Sequence, residues 1–184
     1  MFFTCWGIYA YTQFKEDLAN LLIFAGISEL IYDLSLTGNI FDVRQQNVLF
    51  TLLIGLLVIA IIKNSSNNWI VAIPIILGGA FISYICMMDG SYYGIGLISV
   101  FYLFYNRMYC KYIISIIFMF VCGLDFSICG LFDGYFLTTV FSILLISLYN
   151  GKRGVNLKYF FYIFYPGHLL GLYLVALWIG CLFQ

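Results

Sequence analysis

Apolar runs long enough to cross a bilayer, separated by short polar breaks, recur along almost the whole chain. A spanning helix needs about 20 mainly apolar residues, with a range of about 17–25. Seven candidate spans follow: 18–36, 47–62, 69–87, 92–105, 111–124, 132–149 and 159–183. Two of these, 92–105 and 111–124, are short. They would be tilted, extended by flanking tyrosines, or partly re-entrant, with one broken hairpin as the main alternative, so the count holds to within one. Composition points the same way. The chain is 64% hydrophobic and 9% charged, with mean hydropathy +1.04, whereas soluble domains average about 45–50% apolar and about 25% charged. The sequence therefore predicts an all-α polytopic membrane helix bundle of about seven transmembrane helices, a single integral membrane domain over 1–184 whose partner is the lipid bilayer.

Within that domain, 1–17 reads as a partial or interfacial N-terminal helix and 18–184 as the bundle. Residues 1–14, MFFTCWGIYAYTQF, are apolar and aromatic but too short to span. They look like the second half of a helix descending to Lys15, or like an interfacial segment. No charged n-region, short apolar run and small-residue cleavage site occur in sequence, so no signal peptide is expected.

Charge sets the orientation. With seven spans, Lys15, Lys63, Arg107, Lys111, Lys152, Arg153 and Lys158 fall on one side, and only Arg44 falls on the other. The second side instead collects Asp42, Asp89, Asp125 and Asp133. Basic residues in short loops mark the cytoplasmic face. Loops 63–68, 106–111 and 150–158 are thus expected to be cytoplasmic, and the C-terminus external.

Few residues in the chain can carry chemistry. His168 is the single histidine, placed in the last span after Pro166 and Gly167. A polar residue in hydrocarbon usually faces the protein interior or a wet cavity, and marks a functional site by default. Glu29 and Asp33 lie four apart, on one face of the first span. At about 1.5 Å per residue, Glu29 and His168 reach similar depths, which would allow a carboxylate–imidazole pair. A structural role, as satisfied core or interfacial groups, stands beside the catalytic one for all three.

On the external side, the run NIFDVRQQN brings Gln46 and Asn47 to the start of a span, where Asn47 suits an N-cap. The turn MMDGSYYG places Asp89 on the same side, so the two segments frame an outward mouth. On the cytoplasmic side, NGKRG sets Lys152 and Arg153 between glycines. These cations fit a phosphate cradle or simply fix topology.

Other classes of function find no support. Net charge is zero, with no basic face for nucleic acid. Six scattered cysteines without a CxxC pair read as small apolar fillers, and a single histidine makes a metal site unexpected.

Three stretches resemble the TraX family, which is named for conjugal pilin acetylation and grouped with multi-span membrane acyltransferases. They are LLIFAGISELIYDL at 21–34, FDVRQQNVLFTLLIGLL at 41–57, and YNGKRGVNLKYFFYIFYPGHLLGLYL at 149–174. The resemblance implies a bacterial cell-membrane acetyltransferase. Its donor would be acetyl-CoA, with the phosphates near Lys152 and Arg153. Its acceptor would be a pilin N-terminus or another amine or hydroxyl of a membrane or surface molecule. His168, Glu29 and Asp33 would be catalytic, and Gln46, Asn47, Asp89, Lys152 and Arg153 substrate-binding. Longer members begin with a further apolar region carrying an Asp-His pair and an RLAFPIF-like helix. This chain lacks both and is expected to be an N-terminally shortened member. The competing expectation is a non-catalytic membrane bundle, or a small transporter, that has lost the N-terminal catalytic region. Inverted repeats, which would support a transporter, are not visible.

Overall fold

The computed structural model describes residues 2–39, 41–65, 68–105, 107–123, 134–148 and 158–182. Among these residues the protein is all-α, with seven helices and no strand: α1 (Phe2–Thr37), α2 (Val48–Asn64), α3 (Trp69–Ile85), α4 (Ser91–Leu103), α5 (Met108–Gly123), α6 (Gly134–Ser147) and α7 (Lys158–Leu182). Each lies close to one of the expected apolar runs, because the polar and glycine-containing breaks between runs supply the caps.

The start of the chain differs from expectation. α1 is one continuous helix of 36 residues, about 54 Å long at 1.5 Å per residue. The expected division between 1–17 and 18–36 falls inside it. The turn Lys15–Glu16–Asp17 is charged, yet Lys and Glu are good helix formers, so polarity there does not interrupt the backbone. Among the described residues two helices are long and apolar enough to cross a membrane, Phe14–Thr37 and Tyr162–Ile179, and the apolar helices Val48–Asn64, Trp69–Ile85, Ser91–Leu103 and Tyr109–Cys122 are shorter.

Local chemistry fixes the helix ends. Gly38, at φ 71°, takes the left-handed conformation that closes a helix cheaply only for glycine, and its N–H donates to the Leu34 carbonyl at 3.1 Å. Asn47 and Asn68 cap α2 and α3 by accepting from the N–H groups of Leu49 and Ile70. Lys63 in the last turn of α2 complements the negative end of the helix dipole.

α2 is the hub of the packing. It lies against α1, α3 and α4, α3 lies against α4, the chain continues α4 on α5 and α5 on α6, and α7 returns to pack chiefly on α1. Val58 and Ile62 of α2, Ala72 of α3 and Ile95 of α4 form one core. Leu21 and Ala25 of α1 and Leu49 of α2 form another, covered by Phe24, Tyr162 and Tyr165. Phe24 and Tyr162 stack with centroids 4.8 Å apart, joining α1 to α7. The opposite faces stay apolar and exposed, as at Ile23 and Ile27 of α1 and Val175 and Trp178 of α7.

The first core depends on a close approach at Gly79 of α3, where an added Cβ would collide with Val58 and meet Ile95, whereas the adjacent Gly78 has nothing within 4 Å. Overpacking a filled site costs about 1–3 kcal/mol, while a surface change stays within about 0.5 kcal/mol. Gly79→Val should therefore lower the thermal unfolding temperature of the purified protein clearly more than Gly78→Val. Equal effects would show that this approach is not a close-packed contact.

Candidate functional site

The candidate site is built at the head of α2, where α1 and α7 meet it. The residues at 21, 25, 28 and 32 form the buried stripe of α1, the period expected of a packed helical face. Glu29 and Asp33 sit on the edge of that stripe, facing the residues just before α2.

Asn47 joins the two helices. Its backbone N–H donates to Glu29 Oε2 at 3.0 Å, and its side-chain Nδ2 donates both to Glu29 Oε2 and to the Ala25 carbonyl at 2.9 Å. Its Oδ1 accepts from the Leu49 N–H at 2.9 Å. The residue is fully buried. Glu29 Oε2 thus lies at the positive end of the α2 dipole, where a carboxylate is favoured. Tyr165, from α7, packs against the core of Leu21, Ala25 and Leu49 beside it.

The other Glu29 oxygen is different. Oε1 is buried and, among the described residues, has no hydrogen-bond partner, and the same holds for Oγ of the adjacent Ser28, which is fully buried. Leaving a buried polar atom unpaired costs about 1–3 kcal/mol. Two such atoms on successive residues single out this stretch of α1.

A polar lip extends from the joint. Asp33, 3% exposed, accepts from the Asp42 N–H through Oδ2 at 2.9 Å. Asp42 in turn accepts from the Arg44 N–H at 3.0 Å, with the Arg44 side chain 3.6 Å away and largely in solvent, a contact worth little. The segment before α2 is tied to the α3–α4 turn through a parallel bridge between Gln46 and Met88. There the Gln46 N–H donates to the Met87 carbonyl at 2.9 Å, and the Asp89 N–H donates to the Gln46 carbonyl at 2.8 Å. Gln45 Nε2 reaches Asp89 Oδ1 at 3.4 Å, and the Gly90 N–H donates to Thr51 Oγ1 at 3.1 Å. The two segments expected to share one side of the protein are therefore hydrogen-bonded to each other.

The residues singled out in the sequence separate here. Glu29, Asp33, Gln46, Asn47 and Asp89 gather at this end. His168 does not join them. Its ring is on the exposed side of α7, stacked on Phe164 with centroids 5.8 Å apart, and no hydrogen bond or ion pair links it to Glu29. The depth-matched pair is not formed because depth fixes height along a helix and not azimuth. The inward side of α7 carries Tyr162, Tyr165 and buried Pro166. Both amide hydrogens of Asn47 are already used between helices, so the role visible for it is to hold α1 and α2 together rather than to contact a substrate. Lys152 and Arg153, with loop 150–157, lie outside the described residues. Sequence reasoning passed over Ser28, Thr51 and Tyr165. Tyr165 offered one signal: it lies three residues before His168 in the same short motif.

Taken together, the described residues form an all-α protein in which a carboxylate is held through one of its two oxygens at a three-helix joint. A family model described as TraX protein matches residues 3–176, and the chain belongs to that family. Comparison with curated proteins gave no match, and comparison with solved structures gave none.

The joint predicts unequal costs for the two helix caps. Losing an N-cap costs about 0.5–2 kcal/mol, and a hydrogen bond to a charged group contributes about 1.5–3 kcal/mol. Asn47→Ala should then destabilise by about 2–5 kcal/mol and Asn68→Ala, which loses a cap alone, by about 0.5–2 kcal/mol. Thermal unfolding of the two variants side by side checks this, and equal losses would show that the tie to Glu29 contributes nothing.

Proposed function

We propose that the protein is an integral bundle of about seven spans in a bacterial cell membrane, and that it transfers an acetyl group from acetyl-CoA to an amine or hydroxyl of a membrane or surface acceptor. A pilin N-terminus is the acceptor for which the family is named. The observation that carries this reading is the Glu29 carboxylate, fixed through Oε2 and, at the buried Oε1, without a hydrogen-bond partner among the described residues. Membership of the TraX family supports the class of chemistry. The two long apolar helices support the membrane, as does the gathering of Asp33, Asp42 and Asp89 at one end, opposite the charged turn Lys15–Asp17.

In this reading the acceptor N–H or O–H approaches Oε1 from the lip formed by Gln46 and Asp89. As its nitrogen or oxygen attacks the thioester carbonyl carbon, the new C–N or C–O bond forms and the C–S bond breaks. The acceptor proton passes to Oε1 and from there to the departing thiolate, which leaves as the free thiol and returns Glu29 to its ionised form. Asp33 holds the segment that carries Gln46. His168, outside the joint, is a separate proton-handling candidate. Lys152 and Arg153 hold the donor phosphates on the cytoplasmic side, as the family motif implies.

A second reading has one observation in its favour. The bonds between Asn47 and Glu29 are also what a purely structural helix joint would use, as in a non-catalytic bundle or a small transporter. Label transfer from acetyl-labelled acetyl-CoA to membrane acceptors separates the two. A general base contributes about 10²–10⁴-fold, so Glu29→Gln should lose that factor while remaining folded, its side-chain oxygen still accepting from Asn47, and His168→Ala should report independently on the outer face of α7. Full transfer by a folded Glu29→Gln variant would remove Glu29 from the chemistry. No transfer by the parent protein, given donor and native membranes, would favour the structural reading.

A further inference from the structure

We propose that Glu29 takes up and releases its proton at Oε1 alone, and that Asn47 is the positioning residue that enforces this by occupying Oε2. The inference rests on the acyltransfer reading only for what the proton is used for. The protonation geometry itself stands on the hydrogen bonds.

Oε2 accepts from two donors of one residue, the Asn47 backbone N–H and Nδ2. Neither donor can rotate away. The backbone N–H is fixed by the start of α2, and the side-chain amide is held at its other end by the Ala25 carbonyl and at its oxygen by the Leu49 N–H. An amide side chain has two N–H donors and one carbonyl acceptor, and all three groups are engaged. A proton on Oε2 would point at these donors. Oε1, buried and without a partner, has no such obstacle. A proton there changes Oε2 from a carboxylate oxygen into the carbonyl oxygen of a neutral acid, which still accepts both bonds. The arrangement around Asn47 therefore survives either charge state of Glu29, and only Oε1 changes partner.

The other groups around the joint do not offer a competing arrangement. Asp33, four residues along α1, is engaged with the Asp42 N–H. From α7, Tyr165 packs on the adjoining core, Tyr32 of α1 is buried, and Asp89 of the α3–α4 turn is engaged with Gln45 and the Gln46 carbonyl. α2 contributes no titratable side chain there. Among the described residues, no ion pair to Glu29 supplies a cation that would hold both oxygens.

Infrared difference spectroscopy of the full chain in a lipid bilayer, stepped in pH, tests this directly. The C=O stretch of a protonated carboxyl group should be present, and Glu29→Gln should abolish it. Asn47→Ser keeps a side-chain N-cap but removes the Nδ2 donor. With one fewer hydrogen bond to its carbonyl oxygen, the Glu29 band should move to higher frequency in that variant. Asn68→Ser, at the equivalent cap of α3, should leave the band in place. A merely structural role for Asn47 would lower thermal stability without moving the band. Absence of any Glu29-dependent band throughout the pH range in which the protein stays folded would overturn the proposal, as would a band unmoved by Asn47→Ser in a folded variant. The band can behave as expected even where no acetyl transfer is found. In that case Oε1 remains the proton site, and only the acetyltransferase reading falls.

Discussion

The amide of Asn47 is the fixed point from which the rest of this end of the molecule takes its geometry. Most contacts between the helices are apolar, and apolar burial is non-directional, so two such helices can slide along each other at little cost. A buried amide bonded at both ends has no such freedom. By joining Ala25 and Glu29 of α1 to the first residues of α2, it sets the height and rotation of one helix against the other. Leu21, Ala25 and Leu49 then find their places, and Tyr165 packs against them.

The same bonds make Glu29 chemically asymmetric. An exposed carboxylate has two equivalent oxygens, each hydrated. Here one oxygen is fixed by two donors and the other is left bare in an apolar joint. The carboxylate that fastens α1 to α2 is thus also the one that keeps a buried oxygen unpaired, so a substitution that removes the Asn47 bonds also loosens the helices.

Much of this was legible in the sequence, and what was not has a common cause. Helix positions followed from the apolar runs, and Asn47 as a cap followed from its place before one of them. The meeting of the Gln46 and Asp89 segments followed from counting spans. Glu29 was recognisable as an expensive residue, but its partner was not. Distance along a helix can be counted from sequence, whereas the direction in which a side chain leaves the axis depends on which neighbour the helix packs against. Two residues decide the matter on α7. Tyr165 turns inward and His168 outward, and nothing short of the contact between α1 and α7 tells them apart. The continuity of α1 through Lys15–Asp17 was missed for a related reason, since polarity was read as a boundary where helix propensity runs straight through it.

The bridge between Gln46 and Met88 gives the joint an uneven stiffness. It fastens the hairpin of α1 and α2 to that of α3 and α4, and it does so at a turn already constrained by Met87 and Ser91, both non-glycine residues at positive φ. Such residues persist only where their surroundings hold them, and here the Gln46 backbone and Thr51 do so. Those four helices share a braced rim. α7 lies outside that bracing and packs chiefly on α1, with Tyr162 stacked on Phe24 and Tyr165 against the core of Leu21, Ala25 and Leu49. Among the described residues that seam has no backbone tie of its own, so side-chain packing alone sets the angle at which α7 meets the joint.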